Sequence, residues 1–323
     1  MDVSVILCTY NRCALLPLAL ESVLESVVPE SLQWELLIVD NNSPDRTRQI
    51  VETYSARFPG KIHYLFERTP GKSNALNLGI RHAQGEILAF MDDDVRVDRE
   101  WLVKISSPLL QSGNYAGVGG RIVPPKDFVP PGWLPVSGPY SLGGILAFFD
   151  FGESAVPLTE PPFGTNMAFR KSMFETYGGF RADLGPCPGT EIRGEDTEFG
   201  RRLLNASERL WYEPAAIVYH PVPPSRLEKP YFLRFLYDHG RAVVREHGRN
   251  ETFLGFRGHF PFLCRIVLRS LPQRVLEWQL AFNPPVRFSR KCMVWMTLGE
   301  IAEILYFSGD RTPASEPNFR PLS

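Results

Sequence analysis

Four short apolar runs, each followed by polar residues, constrain the fold of this chain more than any other feature. They are Val3-Ser4-Val5-Ile6-Leu7-Cys8, Trp34-Glu35-Leu36-Leu37-Ile38-Val39, Ile62-His63-Tyr64-Leu65-Phe66 and Glu86-Ile87-Leu88-Ala89-Phe90-Met91. Between the first two, Leu15, Leu16, Ala19, Leu20, Val23, Leu24 and Val27 recur at helical spacing, which predicts a helix from Ala14 to about Val28 with Asn11 as its N-cap. A second helical stretch separates the second and third runs, and a third, around Ser73 to Ala83, leads into the fourth. Strand and helix alternating at this period predict an α/β fold. Its central sheet is mostly parallel, covered by helices on both faces, and ligands bind at the carboxyl ends of the strands.

The polar residues fall where that rule wants them. Thr9-Tyr10-Asn11 follows the first strand, Asp40-Asn41-Asn42-Ser43 the second and Asp92-Asp93-Asp94 the fourth. Three adjacent carboxylates repel one another, so such a cluster is held by a cation or faces open water. Residues two apart at a strand end point the same way, which would let Asp92 and Asp94 share one Mg²⁺ or Mn²⁺ that in turn bridges a substrate diphosphate. The plain alternative is a solvated acidic turn. The convergence of three polar strand ends favours a site.

The 323 residues can bury one large core, or one core plus an appendage, and 44% hydrophobic with 22% charged residues is the composition of a globular enzyme. A net charge of −1 gives no nucleic-acid signature. That average hides an asymmetry: between Ser225 and Lys291 stand 13 Lys and Arg against 5 Asp and Glu, a balance of +8 that leaves −9 elsewhere. Five scattered cysteines without a C-x-x-C argue against a disulfide framework or a zinc site and fit a reducing compartment. With no basic leader and no long apolar window, the expectation is a cytoplasmic chain without a membrane span.

Six segments in order carry a family resemblance. Val5-Ile6-Leu7-Cys8-Thr9-Tyr10-Asn11-Arg12, Leu37 to Ser43, Gly71-Lys72-Ser73-Asn74-Ala75-Leu76-Asn77-Leu78-Gly79, Phe90 to Asp94, Gly164-Thr165-Asn166-Met167-Ala168-Phe169-Arg170 and Gly194-Glu195-Asp196 together resemble the family 2 glycosyltransferases of the GT-A fold, over about residues 3 to 221. The resemblance implies an inverting transferase that takes a sugar from a nucleotide diphosphate, usually UDP, with a divalent metal, Mn²⁺ or Mg²⁺. It places Thr9 and Tyr10 at the base and ribose, and Asp40 at the uracil edge, where a carboxylate accepts from an imide N–H. Asp40 can equally be a turn-former after its strand, and Lys72 either a cation near the nucleotide or a solvated first-turn residue. Asp92 and Asp94 match the ends of a D-x-D motif, with Asp94 on the metal, Asp92 on metal or ribose, and Asp93 counted with the nucleotide contacts. His220 resembles the histidine that completes the metal site in many such enzymes. A lone histidine after a strand is otherwise structural.

Inversion requires a base for the acceptor hydroxyl, and the resemblance assigns Asp196, with Glu195 orienting acceptor or loop. Both open an amphipathic helical segment where the dipole favours negative charge, and acidic residues there are also ordinary helix-start chemistry. Gly164-Thr165-Asn166 resembles the segment that faces donor sugar and acceptor. Pro124 to Pro162 carries no readable regular element, and Trp133 and Tyr140 within it are either acceptor contacts or part of a self-packed loop. Past His220 the resemblance fades, which suggests a GT-A domain over 1–222 and a basic, amphipathic helical extension over 223–323. Tyr231 to His247 reads as a helix with Phe232, Phe235, Leu236 and Val243 inside and Arg234, Arg241 and Arg245 outside. Leu263, Ile266, Val267 and Leu271 repeat the pattern with Arg265 and Arg269 opposite. Such helices either lie on an anionic membrane, here the inner face of the plasma membrane, or cap the core. The implied partners are a nucleotide sugar and a glycan or lipid-linked acceptor, for polysaccharide biosynthesis, and no nucleic acid. Two other classes compete. A nucleotidyltransferase lacks its triphosphate loop here, and a non-catalytic sugar-nucleotide binder has no use for Asp196; the absent Q-x-x-R-W signature argues against a processive synthase and for single-sugar transfer.

Overall fold

The computed structural model describes residues 1–111, 114–187, 192–247, 252–253, 256–257 and 260–309. Its first half alternates as the apolar runs require: β1 Val3–Thr9, α1 Leu16–Leu24, β2 Trp34–Asp40, α2 Thr47–Arg57, β3 Ile62–Phe66, α3 Lys72–His82 and β4 Ile87–Asp92. Then follow β5 Arg96–Val97, α4 Trp101–Gln111, β6 Gly117–Val123, β7 Val156–Leu158, β8 Asn166–Arg170, α5 Lys171–Tyr177, α6 Glu195–Asn205 and β9 Leu210–Tyr219. One sheet runs in the order β3-β2-β1-β4-β8-β6-β9-β5, with β7 on β9. The pairs β3/β2, β2/β1 and β1/β4 are parallel, as a strand–helix repeat demands. β8 is antiparallel to both its neighbours, because the chain reaches it from the long 124–165 connection and not through a crossover helix.

Successive side chains of a strand face opposite ways, and β1 shows the result. Val3, Val5 and Leu7 join one apolar layer with α1, α2 and α4, while Ile6 joins the other with α3, α5 and α6. In the second layer Phe174 and Phe199 stack with ring centroids 4.4 Å apart. Asn166, fully buried where β8 meets β4, accepts from Trp101 Nε1 at 2.8 Å and donates to the carbonyls of Arg121 at 3.0 Å and Ala216 at 2.8 Å, so one amide ties α4, β6 and β9 together.

Helix α1 is shorter than its periodicity predicts, and Asn11 does not cap it. Asn11 adopts the left-handed conformation with φ 54° and donates its backbone N–H to Ser43 Oγ at 2.9 Å, while Leu15 occupies the cap position without a side-chain bond. At the other end Val28 precedes Pro29, which biases it out of the helical region.

The C-terminal part holds α7 Lys229–His247, α8 Phe260–Arg265, a π-helical turn Ile266–Ser270, α9 Leu271–Gln279 and α10 Pro284–Gly309. Helices α7 and α10 cross with backbones in contact: a Cβ on Gly240 would overlap the Met296 carbonyl oxygen, and one on Gly299 that of Tyr237. The prediction that Arg241 and Arg245 lie outside is corrected. Both reach the fully buried Glu303 of α10, at 2.8 and 2.5 Å, and Arg234 is the exposed member of that trio. A buried carboxylate needs such partners, and nothing in α7 itself announces one. Phe232, Leu236, Phe288 and Cys292 share a core cluster with Leu134, Leu142 and Leu146 of the proline-rich connection, and Trp133 packs edge-on against Phe232 and Phe288 at 5.5 and 4.9 Å. Among the described residues no helix is long and apolar enough to cross a membrane.

Candidate active site

The chain winds outward from β1 to β3 and then returns to β4 on the other side of β1, which opens a crevice at the carboxyl ends of β1 and β4. Register puts Thr9 beside Asp40 and Cys8 beside Asp92, so the three polar strand ends are neighbours. A cavity of about 710 Å³ occupies the crevice. Thr9, Tyr10, Lys72, Asp92, Asp93, Asp94, Glu195, Asp196 and His220 all line it. Asp40 stands behind them, buried, accepting from Tyr64 Oη and from the Ser43 N–H, at 2.8 and 2.9 Å; its neighbour Asn41 reaches the cavity. Trp133 and Tyr140 are not lining residues; from that connection Leu142, Ile145 and Phe163 are.

Each carboxylate of the triple Asp carries a cation. Lys72, at the start of α3, donates to Asp92 Oδ1 at 2.7 Å and lies 3.6 Å from Glu195 Oε1, while Thr165 donates to Asp92 Oδ2 at 2.7 Å. Burial opposes charge at Asp92, yet Lys72 and these bonds hold it well below the usual carboxylate range; the same carboxylates raise Lys72 against its own burial. Arg12 is bonded to Asp94 and stands 3.6 Å from Asp93, and Arg226 approaches Asp94 at 3.8 Å. The left-handed turn at Asn11 carries the chain from β1 to Arg12. Sequence reasoning missed both arginines. Arg12 was visible as the residue closing the first polar strand end, whereas Arg226 lies where the resemblance has faded.

Asp93 is the carboxyl most affected by burial, which pushes it up to about 7 although Arg12 pulls it down. The fold thus favours its neutral form: Asp93 supports stability fully below its unfolded value near 3.8, and that support is lost as pH rises towards 7. Asp93→Asn should flatten this dependence. In thermal unfolding followed from pH 5 to 8, the wild type is expected to lose stability relative to the variant, by roughly 1.4 kcal/mol per unit of pKa displacement at most.

Asp196 lies in the first turn of α6. Gly194, at φ 112°, forms the turn before it. The Asp196 carboxylate accepts from the Gly164 N–H at 2.5 Å and from the Thr197 N–H at 2.7 Å. A Cβ on Gly164 would sit 3.0 Å from Asp196 Oδ2, so the carboxylate would have to give by a few tenths of an ångström. Glu195 is buried, which raises its pKa despite Lys72. The opposite wall comes from the helices beyond residue 222, through Tyr231, Phe235, Leu236 and His239 of α7 and Met293 of α10.

His220 ends β9, buried, and burial lowers its pKa so that the neutral ring is favoured. Its Nδ1 has no hydrogen-bond partner, and its Nε2 lies 3.5 Å from Arg226. Carboxylate oxygens such as those of Asp92 and Asp94 are the donor type that suits Mn²⁺ or Mg²⁺, and the orphaned nitrogen of His220 has a lone pair or proton unused by the protein. Among the described residues no three His, Cys, Asp or Glu side chains are grouped closely enough to hold an ion; Lys72 and Arg12 hold the carboxylates instead.

A crevice at a topological switch point, lined by acids and cations, is where a protein of the α/β class binds its ligand. The family model described as "Glycosyl transferase family 2" matches residues 4–178. The chain is 28% identical over 222 residues to "Glycosyltransferase AglE" of Haloferax volcanii, covering 69% of this chain and 67% of that one. It is 26% identical over 262 residues to "Succinoglycan biosynthesis protein ExoM" of Rhizobium meliloti, covering 78% and 79%. The solved mannosyltransferase PcManGT of Pyrobaculum calidifontis, in complex with GDP-Man and Mn²⁺, superposes with a TM-score of 0.62 at 19% identity, over 96% of this chain and 88% of that one. The chain belongs to glycosyl transferase family 2, and it is a glycosyltransferase of GT-A fold.

Proposed function

We propose that this enzyme transfers a single sugar, with inversion, from a nucleotide diphosphate sugar to a hydroxyl of a glycan or lipid-linked acceptor. The observation that carries the reading is Asp196: a carboxylate fixed by two backbone N–H groups in the crevice that also holds Asp92. Asp196 takes the proton of the acceptor hydroxyl as the acceptor oxygen bonds to the anomeric carbon, and the bond from that carbon to the diphosphate breaks, its electron pair leaving with the β-phosphate oxygen. Lys72, Arg12 and Arg226 supply positive charge near that oxygen.

Thr9 and Tyr10 are assigned to base and ribose. Asp40 is assigned to the uracil edge of a UDP-sugar by the family resemblance; it stands behind the cavity lining with one bond made at each oxygen, and Asn41 beside it reaches the cavity. PcManGT was solved with GDP-Man, so the donor base here rests on Asp40 and not on that likeness. A divalent cation, Mn²⁺ or Mg²⁺, is assigned to Asp94 with Asp92 and His220, and it would stabilise charge on the departing diphosphate. The GT-A unit is taken as 1–222, with 223–323 as an extension that walls the acceptor side.

The test is nucleotide release from a panel of UDP-, GDP- and dTDP-sugars with Mn²⁺ or Mg²⁺, beside Mn²⁺ binding followed by electron paramagnetic resonance. Turnover of one UDP-sugar and Mn²⁺ binding that is lost in Asp94→Ala are expected. Binding of no nucleotide sugar, with or without metal, would overturn the reading.

A further inference from the structure

Among the described residues, the Lys and Arg between Ser225 and Lys291 do not form one basic face. Arg226 serves the crevice, Arg241 and Arg245 serve Glu303, Arg274 lies 3.8 Å from Glu300, and Arg290 pairs with Glu277. Among the described residues, Arg269 and Arg287 are exposed on the segment from the π-helical turn to the start of α10. On the same segment Leu268, Pro272, Leu276 and Leu280 recur every four residues, which on a helix is one face. That face is not turned inward: Leu268 is 77% exposed, Leu276 55% and Leu280 61%, and Phe282 just beyond is 93% exposed. The inward side is Ile266, which is buried, and Trp278, which packs edge-on against Trp295.

We propose that this face seats the enzyme on the surface of an anionic lipid bilayer, with Leu268, Leu276, Leu280 and Phe282 entering the headgroup–acyl boundary and Arg269 and Arg287 meeting lipid phosphates. Charge decides between occupants. Among the described residues from 263 to 291 the one acid is Glu277, already held by Arg290 and Gln273. A second copy of the chain presenting the same face would set arginines against arginines, because a twofold interface pairs a patch with itself. A helix of this kind lies in the membrane plane, in keeping with the absence of any spanning helix among the described residues. The inference goes beyond the proposed transfer reaction and does not depend on it.

The experiment is flotation of the full-length protein with vesicles of phosphatidylcholine alone and of phosphatidylcholine mixed with phosphatidylglycerol, at low and high salt. Flotation with the mixed vesicles, weakened by salt, is expected. Arg269→Gln with Arg287→Gln should reduce partitioning by roughly fivefold for each arginine. Leu276→Ser with Phe282→Ser should reduce it by about tenfold or more. Both doubles touch exposed side chains and should keep the wild-type circular dichroism spectrum and melting temperature. No flotation on either vesicle would overturn the proposal. Equal binding to neutral vesicles that survives both doubles would also overturn it, as would a dimer by light scattering that dissociates in L276S/F282S while nothing floats.

Discussion

Replacing Asp196 by alanine is expected to lower kcat by about 10²–10⁴-fold while leaving the affinity for the nucleotide sugar near that of the wild type. The expectation follows from what Asp196 touches. Its partners are the backbone N–H groups of Gly164 and Thr197, so its bonds fix a carboxylate without holding a nucleotide. Asp196→Asn sharpens the experiment, since the amide keeps one acceptor for those two donors and removes the proton acceptor. If general-base chemistry is the role, alanine and asparagine should depress kcat alike. If Asp196 only holds the loop carrying Gly164, asparagine should retain much of the rate. Single-turnover kinetics with donor binding measured by calorimetry separates the cases, and a wild-type rate in either variant would remove Asp196 from the chemistry.

The largest structural effect is expected at the crossing of α7 and α10. Gly240→Ala with Gly299→Ala places two methyl groups where Met296 and Tyr237 carbonyl oxygens already stand, and backbone cannot turn aside as a side chain can. The helices must separate, at a cost of roughly 1–3 kcal/mol for each substitution, which should show as a clear fall in melting temperature. The same movement displaces Phe235, His239 and Met293 from the cavity wall, whereas Thr9, Tyr10 and Lys72 sit on other elements. Acceptor KM should therefore rise with donor KM little changed. A double variant that melts as the wild type does would contradict the backbone contact.

The parallel half of the sheet was legible because strands buried on both faces must be apolar throughout and must end in polar residues where ligands reach them. Period and composition there carry the same message, and β1, β2 and β4 follow it, while β3 at the sheet edge is only partly buried. The antiparallel entry of β8 was not legible: Asn166 to Arg170 is as apolar as a parallel strand, and orientation depends on where the 124–165 connection runs. The site divided in a similar way. Carboxylates at strand ends stood out in the sequence because local chemistry marks them, whereas Asp196 was singled out only by the family resemblance and the Gly194 before it. Their cationic partners did not stand out. Arg226 meets Asp94 across more than a hundred residues, and Glu303 draws Arg241 and Arg245 inward from a helix whose own pattern places them in water.

The single amide of Asn166 bears on where this protein can be cut. Its hydrogen bonds to the carbonyls of Arg121 and Ala216, together with the place of β9 between β6 and β5, make residues 210–219 an interior part of the sheet. A fragment ending at residue 178, where the family match ends, would expose an open edge along β6 and leave a buried side-chain N–H without its acceptor. The stretch by which ancestry is read is thus smaller than the stretch that can fold alone, and any truncated version of this enzyme has to extend through β9 to stand as an autonomous unit.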